Sequence, residues 1–204
     1  MIISQFKEDF AKQLRPLTRL LVKSGVHPDL LTVLGLMGNI LAAVLFAWGR
    51  LRWAGGMMLL GGLCDALDGE VARAGQRGSK FGALLDSILD RYSEIFVAFG
   101  ITVYFIRSGW VLTSAGLFFG WAGSLMVSYV RARAEGLGEE CKVGMMQRGE
   151  RVIAIAGGAF IHVKALVVVI WIMALLANFT VAERLWHVRK KTRYLEITEG
   201  GYIE

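Results

Sequence analysis

Residues 30–48, 111–130 and 165–182 contain no charged side chain. Their apolar positions run on continuously instead of recurring on one helical face. About 20 such residues suffice for a helix to cross a hydrocarbon core. Between these runs the pattern predicts further helices, giving spans at 30–48, 52–73, 80–106, 110–134, 147–161 and 164–187. The second and third carry carboxylates and arginine. The fifth has an apolar part of only residues 152–161, about 15 Å of helix, so it must begin within 145–151. That places Arg148 and Arg151 at the membrane boundary.

Residues 4–23 show a different pattern, with Phe6, Phe10, Leu14, Leu17 and Leu21 at helical spacing and charges on the other side. Such a helix suits the membrane surface, although a helix packed on the rest of the protein has the same pattern. Gly25 ends it, and His27, Pro28 and Asp29 lead into the first span. The polar residues from about 189 to 204 read as a loose tail. The expected architecture is all-α and polytopic. It is a single domain, 1–204, with an interfacial helix (4–23) before a bundle of six transmembrane helices (about 30–187).

Composition agrees: 55% of residues are hydrophobic and the mean hydropathy is +0.51. The net charge of +6 raises nucleic acid as a partner, but the basic residues are arranged otherwise. Five precede the first span (Lys7, Lys12, Arg15, Arg19, Lys23), and three sit at Arg73, Arg77 and Lys80. Five more occupy Arg131, Arg133, Lys142, Arg148 and Arg151, and five close the chain at Arg184, Arg189, Lys190, Lys191 and Arg193. The alternate connections carry only Arg50 and Arg52, then Arg107, then Lys164. This alternation follows the positive-inside rule. It predicts an even number of crossings of the cell (inner) membrane with both termini cytoplasmic, and no nucleic-acid partner. Residues 1–23 are too charged for a cleavable signal peptide. Cys64 and Cys141 suggest neither a disulfide scaffold nor a zinc site, and His27, His162 and His187 are scattered.

The chemistry concentrates where the second span meets the third. Asp65 and Asp68 are spaced i,i+3, and Asp86 and Asp90 i,i+4, so each pair lies on one helical face. Asp65 lies about 18 Å along its helix from Trp53, and Asp86 about 10 Å in from Ser79, which predicts that the pairs meet in the cytoplasmic half. One carboxylate inside a membrane helix costs roughly 2.5–3.5 kcal/mol on insertion scales. Four argue for function. They offer hard oxygen ligands to Mg²⁺ or Mn²⁺, and two such ions would clamp a pyrophosphate. Gly69 and Gly82 allow close approach of a substrate to the backbone, and Arg73 can hold a phosphate bidentately.

These residues form the pattern D-x2-D-G-x2-A-R-x8-G-x3-D-x3-D, from Asp65 to Asp90, with all eight fixed positions present. The pattern resembles the signature of the CDP-alcohol phosphotransferase family, and the six-span layout extends the likeness over most of residues 1–190. The resemblance implies that Asp65 and Asp86 each touch both metal ions. Asp68 would serve one ion, and Asp90 the other while acting as general base. Gly69, Arg73 and Ser79 would hold the CDP moiety of a CDP-linked lipid, together with Asp29, Leu30, Leu31 and Thr32. Pro28, Asp29 and Thr32 are equally what an ordinary helix start looks like. The implied reaction is displacement on phosphorus by an alcohol, with CMP leaving, and the family implies a homodimer.

The motif does not name the alcohol. Ser128, Arg131, Arg151 and Arg184 can converge above the metal site, a pocket for a phosphorylated alcohol, although positive-inside anchoring also accounts for basic residues there. The set is similar to that of the prokaryotic phosphatidylinositol phosphate synthases, where a serine, a lysine and two arginines hold inositol phosphate; Arg131 stands in place of the lysine. Inositol 1-phosphate is the expected acceptor, with glycerol phosphate (a phosphatidylglycerophosphate synthase) the rival. A cation or proton transporter is the rival of another class, because buried carboxylates also line ion paths.

The topology is testable by cysteine labelling. A cysteine at position 77 or 142 should react from the cytoplasm, and one at position 50 or 109 from the opposite side. Labelling of 77 and 109 from the same side would remove the third crossing.

Overall fold

The computed structural model describes residues 2–199 apart from 142, 145 and 146, and side chains from 13 to 192 with the same exceptions. The described residues form seven α-helices and no strand: α1 (Ile2–Lys23), α2 (Pro28–Ala47), α3 (Leu51–Ala74), α4 (Lys80–Arg107), α5 (Val111–Glu135), α6 (Arg148–Ile161) and α7 (Val163–Glu199). Each expected helix is present, with starts within two residues of expectation. The exception in length is α7, which continues as helix through Glu199 where a loose polar tail is expected from about 189. Residues 200–204 of that tail lie outside the described residues.

Among the described residues, three helices are long and apolar enough to cross a membrane: Pro28–Ala47, Val111–Glu135 and Val163–Thr192. Six crossings are therefore not evident from length and composition. Charge explains α3 and α4, which carry Asp65, Asp68, Glu70 and Arg73, and Asp86, Asp90, Arg91 and Glu94. Length explains α6, whose 14 residues reach only about 21 Å. The chain is an all-α membrane protein.

The same device ends five helices. The N–H groups of Val26, Arg50, Arg77, Trp110 and Glu139 reach back to the carbonyls of Leu21, Leu45, Ala72, Phe105 and Ala134. The preceding residues, Gly25, Gly49, Gln76, Gly109 and Gly138, bond three residues back and have positive φ. This is the Schellman motif, whose left-handed position favours glycine. Gln76, at φ 51, is the one non-glycine residue with positive φ among the described residues.

The chain divides into two compact units, residues 1–100 and 101–204. In the first, α2 and α3 lie together along their length. Gly35, Gly38 and Gly61 let the backbones approach, and the buried Asn39 donates to the Gly35 carbonyl (2.9 Å). Leu31, Leu67 and Val71 form a buried cluster covered by Leu14, Leu21, Val22, Val26 and Leu63. The C-terminal half of α1 thus spends Leu14 and Leu21 on the protein itself and leaves Leu17 and Leu20 exposed. Phe6 and Phe10 lie outside the described side chains. In the second unit, α5 sets Gly116, Gly120 and Gly123 against Trp171, Ala174 and Asn178 of α7. Asn178 donates to the Phe119 carbonyl across that seam (3.3 Å).

The tightest crossing is at Gly100 of α4, where an added Cβ would stand 2.1 Å from the Ala43 carbonyl oxygen. Backbone cannot yield as a flexible side chain can, so Gly100→Ala should destabilise the protein by about 3 kcal/mol. Gly157→Ala, which meets nothing within 4 Å, should gain up to about 1 kcal/mol from helix propensity. Unfolding midpoints in mixed micelles measure both.

Candidate active site

Asp65 and Asp68 lie near the C-terminal end of α3, and Asp86 in the second turn of α4. The hairpin of these helices brings one carboxylate oxygen from each of the three within 4.8 Å of one another. Asp68 is buried and the other two are half-buried. Its Oδ2 accepts a hydrogen bond from the buried Thr32 hydroxyl of α2 (2.7 Å). Ionised groups this close repel by roughly 3 kcal/mol per pair at an effective dielectric of about 20, a cost that a divalent cation reverses. The donors are all carboxylate oxygens, which suits Mg²⁺ or Mn²⁺ over softer metals. The residues present fit a divalent metal ion.

Asp90 falls outside this group of three, although four facing carboxylates are expected. It follows Asp86 by one turn, is largely buried, and has Arg91 Nη1 3.8 Å from its Oδ2.

The expected nucleotide residues divide by role. Arg73 Nη2 donates to Glu70 Oε1 at 2.6 Å, and its guanidinium lies over Gly69, 3.4 Å from where a Cβ would stand. Ser79 Oγ accepts from the Gly82 N–H (2.8 Å), which caps α4. A Cβ on Gly82 would meet both Ser79 Oγ and Asp29 Oδ1, at 3.0 and 3.1 Å. Asp29 therefore faces the start of α4 while Thr32 reaches Asp68. Leu31 is buried in the core and Leu30 is exposed. Arg77, outside the expected set, donates from Nη1 to the Gly25 carbonyl (3.0 Å) and ties the α3–α4 turn to the end of α1. Glu70 is also a missed residue, and its i,i+3 spacing to Arg73 is the signal that finds it.

The expected acceptor residues belong to the second unit. Arg184 is buried, donates from Nε to the Val143 carbonyl (2.8 Å), and from Nη1 to the Val127 carbonyl. Two of its donors are thus already committed to backbone. It lies within electrostatic reach of Arg131 and Arg151. Arg151 is buried at the N-terminal turn of α6, whose start is fixed by a capping box of Gln147 and Glu150. Arg131 is exposed and paired with Glu135 (2.9 Å), and Ser128 is half-buried on α5. Arg131, Arg151 and Arg184 form a group of predominantly positive charge, in which Glu183 also acts on Arg184 and Glu135 is paired with Arg131.

An acidic, metal-fitting hairpin lies in one helical unit and a group of arginines in the other. Residues 25–191 match the CDP-alcohol phosphatidyltransferase family, and the chain belongs to that family. It is a phosphotransferase of phospholipid biosynthesis. It is 36% identical over 199 residues to a phosphatidylinositol phosphate synthase of Mycobacteroides abscessus, covering 94% of this chain and 90% of that one. It is 35% identical over 195 residues to an archaetidylinositol phosphate synthase of Methanothermobacter thermautotrophicus, covering 91% and 97%. The fold is similar to the crystal structure of Mycobacterium tuberculosis phosphatidylinositol phosphate synthase with CDP-DAG bound. The TM-score is 0.78 at 31% identity, over 85% of this chain and 92% of that one. A second structure of that protein holds manganese and citrate, with a TM-score of 0.76.

The bond from Thr32 to Asp68 gives the first test of the site. Thr32→Val should raise the Mg²⁺ concentration for half-maximal turnover about ten- to hundredfold, the usual effect of losing a hydrogen bond that orients a metal ligand. Thr32→Ser should retain most of the wild-type affinity.

Proposed function

We propose that the chain transfers a phosphatidyl-type group from CDP-diacylglycerol or CDP-archaeol to inositol 1-phosphate, releasing CMP. The observation that carries the acceptor is the cluster of Arg131, Arg151 and Arg184 in the second unit, which exceeds what a CDP-linked donor requires. The names of the relatives, inositol phosphate synthases acting on two lipid types, support the same reading.

Asp65, Asp68 and Asp86, together with Asp90, would hold two divalent ions, Mg²⁺ or Mn²⁺. When bound, these would offset the charge that gathers on the pyrophosphate. Arg73, Gly69 and Ser79 hold the CDP moiety with Asp29, Leu30, Leu31 and Thr32, Glu70 keeping Arg73 extended over Gly69. Ser128, Arg131, Arg151 and Arg184 hold the phosphate of the acceptor. Asp90 takes the proton of the acceptor hydroxyl. The freed oxygen attacks the phosphorus bonded to the lipid, and the bond to CMP breaks. The proposed setting is six crossings of the cell membrane with α1 at its surface, both termini and the active site cytoplasmic, and a homodimer.

The acceptor KM tests this reading. A charge-assisted hydrogen bond contributes about 1.5–3 kcal/mol, so Arg151→Gln should raise the KM for inositol 1-phosphate roughly ten- to hundredfold. The KM for CDP-diacylglycerol should stay unchanged. Asp90→Asn should abolish turnover while CDP-diacylglycerol still binds. Better use of glycerol 3-phosphate than of inositol 1-phosphate by the wild type would refute the acceptor and leave the enzyme class standing.

A further inference from the structure

Five helices end in the same motif, and four place glycine at its left-handed position. The exception, Gln76, stands in the one turn that joins the two aspartate-bearing helices. A side chain at this φ costs energy that glycine avoids, and such strain concentrates where a side chain has a task. Nothing among the described residues repays it. Gln76 is exposed, and its side chain makes no hydrogen bond among the described residues. The turn itself is held without it, by the Arg77 N–H to the Ala72 carbonyl and by the Arg77 side chain to the Gly25 carbonyl.

Gln76 follows Arg73 by three residues and precedes Ser79 by three, so it occupies the crest of the turn between two groups assigned to the nucleotide. A primary amide offers two donors and one acceptor, and so matches a nucleotide's ribose hydroxyls, its phosphate oxygens and the polar edge of cytosine. We propose that Gln76 is a specificity-determining residue, its amide hydrogen-bonding the CDP moiety of the lipid donor. The inference rests on the reading of this turn as part of the CDP site.

Opposite changes in two readouts test it. Gln76→Gly relieves the backbone and removes the amide. It should raise the unfolding midpoint, yet raise the KM for CDP-diacylglycerol and the Ki of CMP about two- to tenfold, the equivalent of one neutral hydrogen bond. Gln76→Ala should show the same loss without the gain in stability. Gln76→Asn, which tolerates the left-handed position and keeps an amide, should recover part of the affinity. The acceptor KM should not move in any of the three. A Gln76→Gly enzyme that is more stable with unchanged KM and Ki would overturn the inference. Arg73→Gln, measured alongside, locates such a failure. If it weakens CDP-lipid binding, only the role of Gln76 is wrong; if it does not, the reading of the whole turn falls too.

Discussion

Three carboxylates held within 4.8 Å of one another are the constraint around which the first half of this molecule is arranged. Left to itself, such a group separates or takes up protons. Here its members cannot separate, because they stand on two helices whose ends are fixed. The Schellman turn stops α3 at Ala74, Ser79 starts α4 one residue before Lys80, and Thr32 reaches across from α2 to hold Asp68. The glycines of α2 and α3 bring those helices close enough for that bond to form. Packing holds the charges together, and the charges define what the site can bind.

The second half is arranged around the opposite sign. Arg151 and Arg184 are buried in it, and Arg184 donates to the Val127 and Val143 carbonyls while Glu183 lies close enough to act on its charge. Val143 and Gly144 lie against α7, the first through the same bond and the second where a Cβ would stand 2.5 Å from a Thr180 methyl carbon. Farther along, Lys191 pairs with Glu139 at 2.7 Å. This pair gives the polar end of α7 a structural role, and hydropathy alone reads that end as tail.

Much of this was legible in the residues. Helix limits follow from capping chemistry, which is local: Gly25 ends α1 where its sequence position suggests. The aspartate motif is likewise local, because i,i+3 and i,i+4 spacing fixes a helical face. What crosses between helices was not legible. Spacing placed Asp90 with Asp86, and spacing along α4 does not say which of the two comes within 4.8 Å of Asp65 and Asp68, where Asp86 stands. Thr32 read as a helix start or a nucleotide contact, and nothing in the spacing pointed to the bond its hydroxyl makes to Asp68, 36 residues away. Three of the expected crossings also fail the length and composition of a lone span. Function put charge into α3 and α4, and α6 is short.

The central claim is that Asp65, Asp68 and Asp86 form a divalent-cation site before any substrate arrives. Titration of the detergent-solubilised protein with Mn²⁺, followed by the electron paramagnetic resonance of the free ion, tests it directly. The account predicts saturable removal of the free signal by the wild type, and loss of that binding in Asp68→Asn while the variant remains folded. Equal Mn²⁺ binding by the two proteins would contradict it.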